Sequence, residues 1–147
     1  DHLDFPVSWD DIHRDTKALA WRLKDLKEWK GLIAVTRGGM VPACIVARVL
    51  DIKLIETFCI NSYDHKDQGD AKIMKQADMV ENGGDGWLVI DDLVDTGNTF
   101  EVIRKHLPKA HYGCVYAKPA GAKMTDTFVT EVSQNTWINF PWEVDGV

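Results

Sequence analysis

Apolar residues at Ile12, Leu19, Ala20 and Leu23, with Thr16 among them, recur near helical spacing behind Ser8 and Asp11. A Ser and an acid three positions apart can satisfy each other's backbone amides at a helix start, so the pattern predicts a helix that lays one stripe on a sheet. Leu32-Ile33-Ala34-Val35 is instead a continuous apolar run, interrupted by Thr36-Arg37-Gly38-Gly39. A run without alternation fits a strand buried on both faces. Met40 to Leu50 reads as a helix with Pro42 in its first turn, where a missing N–H costs little. Lys53 to Ile60 is β-branched and apolar and predicts a second strand. Asn61 to Asp85 turns polar and is the expected mobile loop, with Ala71 to Met79 as a short helix or hairpin arm inside it. Trp87 to Ile90 predicts a third strand ending in Asp91-Asp92, and Thr99 to Leu107 a helix stopped by Pro108. His111 to Ala117 and Thr127 to Val132 complete the strands.

Strands alternating with helices imply an α/β fold, a mainly parallel twisted sheet flanked by helices. Ligands of such sheets sit beyond the carboxyl ends of the strands. The two most unusual loops, Thr36 to Gly39 and Asp91 to Thr99, both follow strands and can face one crevice.

Composition narrows the function. The 147 residues fit one domain, and 45% hydrophobic with 27% charged residues is ordinary for a folded chain. A net charge of −6 argues against a general nucleic-acid binder, so any phosphate must be held locally. Cys44, Cys59 and Cys114 are odd in number and widely spaced, which disfavours a disulfide framework or zinc site and suits a reducing cytoplasm. The apolar stretches fall well short of the ~20 residues that span a bilayer, so the chain is expected to be soluble or at most peripheral.

Asp95-Thr96-Gly97-Asn98-Thr99 lies between a predicted buried strand and a predicted helix. Backbone amides and the helix start can converge there on a phosphate, two threonine hydroxyls add donors, and Gly97 permits a left-handed or close-approach conformation. A plain helix entry capped by Asp95 or Thr96 is the competing reading. Asp91 and Asp92 end the strand, and because successive side chains point to opposite faces they are not expected to form a side-by-side acid and base pair. They can flank a sugar, accepting hydrogen bonds from ribose hydroxyls directly or through Mg²⁺.

The segment VIDDLVDTGNT, Val89 to Thr99, resembles the phosphoribosyl-pyrophosphate motif of the type I purine phosphoribosyltransferases. Further matches are AVTRGGMVPA (Ala34 to Ala43), INSYDH (Ile60 to His65), YAKPAG (Tyr116 to Gly121) and TWINFPWE (Thr136 to Glu143), most similar over nearly the whole chain to the bacterial xanthine-guanine branch. The resemblance implies one phosphoribosyltransferase domain over 1–147, with a small base-recognition hood and a mobile lid. It implies phosphoribosyl-pyrophosphate contacts from Arg37, Gly38, Asp91, Asp92, Leu93, Val94, Asp95, Thr96, Gly97, Asn98 and Thr99. Within that set Asp95 to Thr99 take the 5'-phosphate, Asp91 and Asp92 the ribose and Mg²⁺, and Arg37 and Gly38 the pyrophosphate. The peptide after Arg37 can be cis in the family. Lys118 would donate to the purine O6, Trp137 stack on the base, and Trp137 and Ile138 read its 2-position through their main chain. Asp95 would act catalytically, managing the purine N7 proton. Ser62 and Tyr63 mark the lid, in which Gly69 replaces an arginine of close relatives and Lys66 or Lys72 can compensate. Glu143 stands where close relatives carry Asp and is a further metal candidate beside Asp92 and Asp91.

The implied reaction is transfer of the 5-phosphoribosyl group to N9 of guanine or xanthine, and less well hypoxanthine, in purine salvage. The implied partners are the donor, 6-oxopurine bases, Mg²⁺ and other copies of the chain in a homotetramer, with no nucleic acid. The implied location is the cytoplasm, with peripheral association to the inner membrane as a variant. A non-catalytic purine sensor of the same fold is the alternative, and a dinucleotide-binding domain is disfavoured because no G-x-G-x-x-G follows a strand.

Overall fold

A computed structural model describes residues 3–61 and 71–143 of the chain. Its elements are β1 (Leu3–Pro6), α1 (Trp9–Leu23), β2 (Gly31–Thr36), α2 (Met40–Leu50), β3 (Ile55–Asn61), β4 (Lys72–Lys75), β5 (Trp87–Val94), α3 (Asn98–His106), β6 (His111–Ala117), α4 (Pro119–Ala122), β7 (Thr127–Glu131) and β8 (Thr136–Asn139).

The predicted capping pair closes α1: Asp11 N–H donates to Ser8 Oγ and Ser8 N–H to Asp11 Oδ2, each at 3.0 Å. Its stripe of Ile12, Thr16, Leu19, Ala20 and Leu23 is buried as the periodicity requires. A six-stranded sheet runs in the order β4-β3-β2-β5-β6-β7. All of its neighbours are parallel except β4, which pairs antiparallel with β3. The predicted hairpin arm is thus a strand.

Strand alternation divides the core in two. Leu32, Ala34, Leu88 and Ile90 pack with α1 and α2 on one face. Ile33, Val35, Trp87 and Val89 meet Phe100 and Ile103 of α3 on the other. The connections after β2 and β5 therefore leave toward opposite faces, making the gap between those strands the topological switch point where ligands of open α/β sheets bind.

The third strand is longer than its apolar run indicates. β5 continues through Asp91 and Asp92 to Val94, because β6 keeps pairing with it as far as Val94↔Ala117 after β2 has stopped at Ala34↔Ile90. The second strand begins at Ile55, opposite Leu32 of β2, and not at Lys53. A separate two-stranded sheet pairs β1 with β8 in parallel. It is fixed to the main body by aromatic edges: Phe5 and Phe140 each lie 5.9 Å from Tyr116, and Phe140 stacks on Trp142 at 4.7 Å.

Replacing Ser8 with Ala removes the acceptor for the Asp11 amide. Such caps contribute about 1 kcal/mol, so Ser8→Ala is expected to lower the melting temperature by roughly 3 °C. An unchanged transition would show that α1 is held by packing alone.

Candidate active site

Three chain segments converge at the carboxyl ends of β2, β5 and β6. The first is the turn after β2. Its Thr36–Arg37 peptide is cis, one bond earlier than the peptide after Arg37 at which the resemblance placed it. The close approach in this turn is made by Gly38, where a Cβ would lie 2.6 Å from Asp92 Oδ2. Backbone and carboxylate can approach this closely only without a side chain. Arg37 is exposed and has no ion-pair partner among the described residues.

The second segment is the end of β5 and the loop beyond it. Asp91 is buried at 9% exposure and Asp92 is half-buried. Past Ile90 the Asp92 amide donates to Asp91 Oδ1 at 2.8 Å. The two acids therefore interact directly despite their alternate positions, because the Asp91 side chain folds back on the neighbouring amide. Burial raises the Asp91 carboxyl well above its ordinary value, and the adjacent Asp92 charge adds to this. Burial, with the Glu143 charge adding to it, likewise pushes Asp92 up to about 6. Neither carboxyl has a cationic partner among the described residues, so burial favours the protonated form of each.

Beyond them Val94 is buried, Leu93 half-buried, and Asp95 and Thr96 are exposed. Gly97, with φ of 92°, is the N-cap of α3, and no side chain caps the helix. The capping reading of Asp95 or Thr96 is not realised: Thr96 Oγ1 meets only the Asn98 amide, at a long 3.4 Å. Beyond Asn98, no side chain among the described residues caps the first-turn amides of α3.

The third segment follows β6. Lys118 N–H donates to Val94 O at 2.9 Å, tying this segment to β5. The Lys118 side chain is only 6% exposed, and its Nζ lies 3.4 Å from Asp95 Oδ2. In α4, a Cβ on Gly121 would run into Val94 Cγ1 and come within 2.8 Å of Gly97 N. The Lys118 segment and the Asp95 loop are therefore in backbone contact.

β8 leaves Trp137 59% exposed and Ile138 6% exposed, the alternation expected of a strand with one face packed. Glu143 is exposed near the end of the described chain, its Oε1 3.4 Å from the Phe140 amide. Ser62, Tyr63, Lys66 and Gly69 lie outside the described residues, whereas Lys72 opens β4, exposed. Sequence reasoning missed Gln134, in the turn between β7 and β8. Its Nε2 donates to Asp95 Oδ1 at 2.8 Å, and its Oε1 accepts from Ala120 N at 2.8 Å. A polar turn residue reads only as a turn residue, so nothing in its local sequence singled it out.

Residues 8–146 match the phosphoribosyl transferase domain family. The chain belongs to this family. It is 61% identical over 142 residues to the xanthine-guanine phosphoribosyltransferase of Desulfotalea psychrophila, a match covering 96% of this chain and 87% of the relative. The enzyme of the same name from Nitratidesulfovibrio vulgaris is 56% identical over 140 residues, covering 95% and 84%. Among solved structures, the purine phosphoribosyltransferase from Pyrococcus horikoshii superposes with a TM-score of 0.82 at 26% identity, covering 98% of this chain and 97% of that one. The chain is accordingly a transferase of purine salvage, acting on phosphoribosyl pyrophosphate and a purine base.

The raised Asp92 value has a consequence for stability. This carboxyl holds its proton more tightly folded, at about 6, than unfolded, near 3.8. The folded state is therefore progressively destabilised as pH rises between those values, and the full penalty remains above them. Asp92→Asn is expected to raise the melting temperature at pH 8 by several degrees, on the order of 1–2 kcal/mol. The gain should shrink as pH falls toward 4, and a gain independent of pH would rule out ionisation as its source.

Proposed function

We propose that this chain, as one domain over 1–147, transfers the 5-phosphoribosyl group of phosphoribosyl pyrophosphate to N9 of guanine or xanthine, and less readily hypoxanthine, in the cytoplasm. The observation that carries this reading is the nearly buried Lys118 ammonium facing Asp95 beside the uncapped start of α3. A 6-oxopurine offers an acceptor at O6, where adenine offers an amino donor, so a dehydrated ammonium there selects the former. The relatives at 61% and 56% identity carry the xanthine-guanine name, which supports the same bases. The sensor alternative gains no support from them.

In this reading Leu93 to Thr99 cradle the donor, with amides from Thr96 to Thr99 on its 5'-phosphate. Asp91 and Asp92 take the ribose hydroxyls, and Arg37 with the Gly38 backbone takes the pyrophosphate. Trp137 covers the base, the main chain of Trp137 and Ile138 reads its 2-position, and Ser62 and Tyr63 close over the donor. Gly69 removes one pyrophosphate contact of close relatives, which Lys66 or Lys72 can replace. N9 attacks C1' as the C1'–O bond to pyrophosphate breaks, with inversion. Asp95 accepts or stabilises the N7 proton, while the enclosing walls keep out water that would hydrolyse the donor.

Among the described residues no three His, Cys, Asp or Glu side chains form a metal cluster. The two uncompensated β5 carboxylates, with the charge of Glu143 acting on Asp92, do fit a hard dication that keeps most of its waters. Mg²⁺ bound there would neutralise charge on the departing pyrophosphate. A homotetramer belongs to this reading. An apolar groove of about 680 Å³ lined by Met40, Ala43, Ala47 and Ile55 supplies a surface that another copy can cover. A monomer mass by light scattering would remove that part. Among the described residues no helix is long and apolar enough to cross a membrane.

Incubation with Mg²⁺, phosphoribosyl pyrophosphate and each purine is expected to yield GMP and XMP, with no product from adenine. Lys118→Met should lower kcat/KM for guanine by about 100-fold while leaving the donor KM within a few fold. Absence of product with every 6-oxopurine would overturn the reading.

A further inference from the structure

The turn Ser133–Thr136 carries one side chain that reaches back into the site. Thr136 N–H closes the turn on Ser133 O at 3.0 Å, and Ser133 Oγ lies 2.6 Å from Thr136 Oγ1 and 2.7 Å from Asn135 Oδ1. From this braced turn the Gln134 amide makes contacts of opposite polarity. Its oxygen accepts the N–H of Ala120 at 2.8 Å, a first-turn donor of α4 with no partner in its own helix. Its nitrogen donates to Asp95 Oδ1 at 2.8 Å and lies 3.3 Å from Asp95 O. The polarity of these partners admits one orientation of the amide: an N–H needs an acceptor, and a carboxylate and a carbonyl need donors.

The Asp95 carboxylate is thereby held at both oxygens, Oδ1 by Gln134 and Oδ2 by Lys118 at 3.4 Å. The two holds differ in permanence. In the reading above Lys118 turns to the purine O6 when base binds, releasing Oδ2, whereas Gln134 is committed to its turn and to α4. We infer that Gln134 is a positioning residue that pins Asp95 Oδ1, so that base binding frees Oδ2 alone and presents it to the purine N7. This inference rests on the assignment of Asp95 to the N7 proton. Without the amide, the carboxylate would be free to rotate about its side chain or follow the Lys118 ammonium, and the proton acceptor would be in place for only part of the time. Gln134 also precedes Trp137 and Ile138 by a few residues, so the same contact sets the register of hood and proton acceptor.

Gln134→Glu separates positioning from mere support. A carboxylate there still accepts the Ala120 amide, which preserves the start of α4, but it cannot donate to Asp95. The donor KM of Gln134→Glu should stay near wild type, while the new carboxylate beside Asp95 Oδ1 should lower the melting temperature at neutral pH, a loss that the Asp95→Asn background relieves. The single-turnover rate of nucleotide formation from guanine should fall at least about tenfold, a part of the 10²–10⁴ that positioned proton transfer contributes. Gln134→Ala should lose both stability and rate. In an Asp95→Asn background, itself slowed, Gln134→Glu should add less than about twofold, because both changes act through one group. A wild-type single-turnover rate for Gln134→Glu, or a full tenfold loss retained in the Asp95→Asn background, would overturn the positioning role while leaving Asp95 in place. An unaltered rate for Asp95→Asn alone would remove the Asp95 assignment, and the positioning role with it.

Discussion

Gly97 and Gly121 lie so close that a Cβ on Gly97 would sit 3.3 Å from Gly121 Cα, and much of the site depends on that contact. One glycine caps α3 and the other lies in α4, so the loop entering α3 and the segment carrying the buried lysine touch without intervening side chains. Backbone contact is stiffer than contact through side chains that can change rotamer. The separation between Asp95 and Lys118 is thus fixed by the main chain and by Lys118 N–H on Val94 O. The sheet contributes the same rigidity from below, because β5 and β6 remain paired to the residues just before both loops.

On this frame the electrostatics are deliberately unbalanced. Asp91 is buried and Asp92 half-buried with no cation against either among the described residues, while Lys118 is nearly buried with one carboxylate only partly facing it. A fold selected for stability alone would pair or remove such groups. Their retention where strand ends meet is what a site needs when its charges are completed by a polyhydroxylated, polyanionic donor and a base. Residues violate local consistency here because the ligand supplies the missing half of their interactions.

The elements legible in the sequence were those whose burial pattern repeats locally. The α1 stripe, the apolar run of β2 and the span of α2 follow from side-chain periodicity, which the structure preserves. The end of the strand at Asp91-Asp92 was legible, but its continuation through Leu93 and Val94 was not, since only pairing with β6 keeps them extended after β2 has stopped. β1 and β8 were invisible for a related reason: each is short, and each finds its partner near the opposite end of the chain. In the site, the phosphate loop and Lys118 stood out through motifs. The bond from the Asp92 amide to the Asp91 carboxylate was not foreseen, because alternation describes Cβ directions and not where a flexible carboxylate ends. Gln134 gave no signal, because its importance comes from tertiary placement.

The pairing of β1 with β8 bears on how the site comes into being during synthesis. The strand, loop and helix from Trp87 to His106 form a contiguous stretch, and can assemble once β6, next in the chain, has emerged to pair with β5. The hood cannot, because its second strand is among the last described residues while its first waits from the beginning. A chain caught before Thr136 emerges would lack this sheet, so on the proposed reading competence to hold the donor precedes competence to use it.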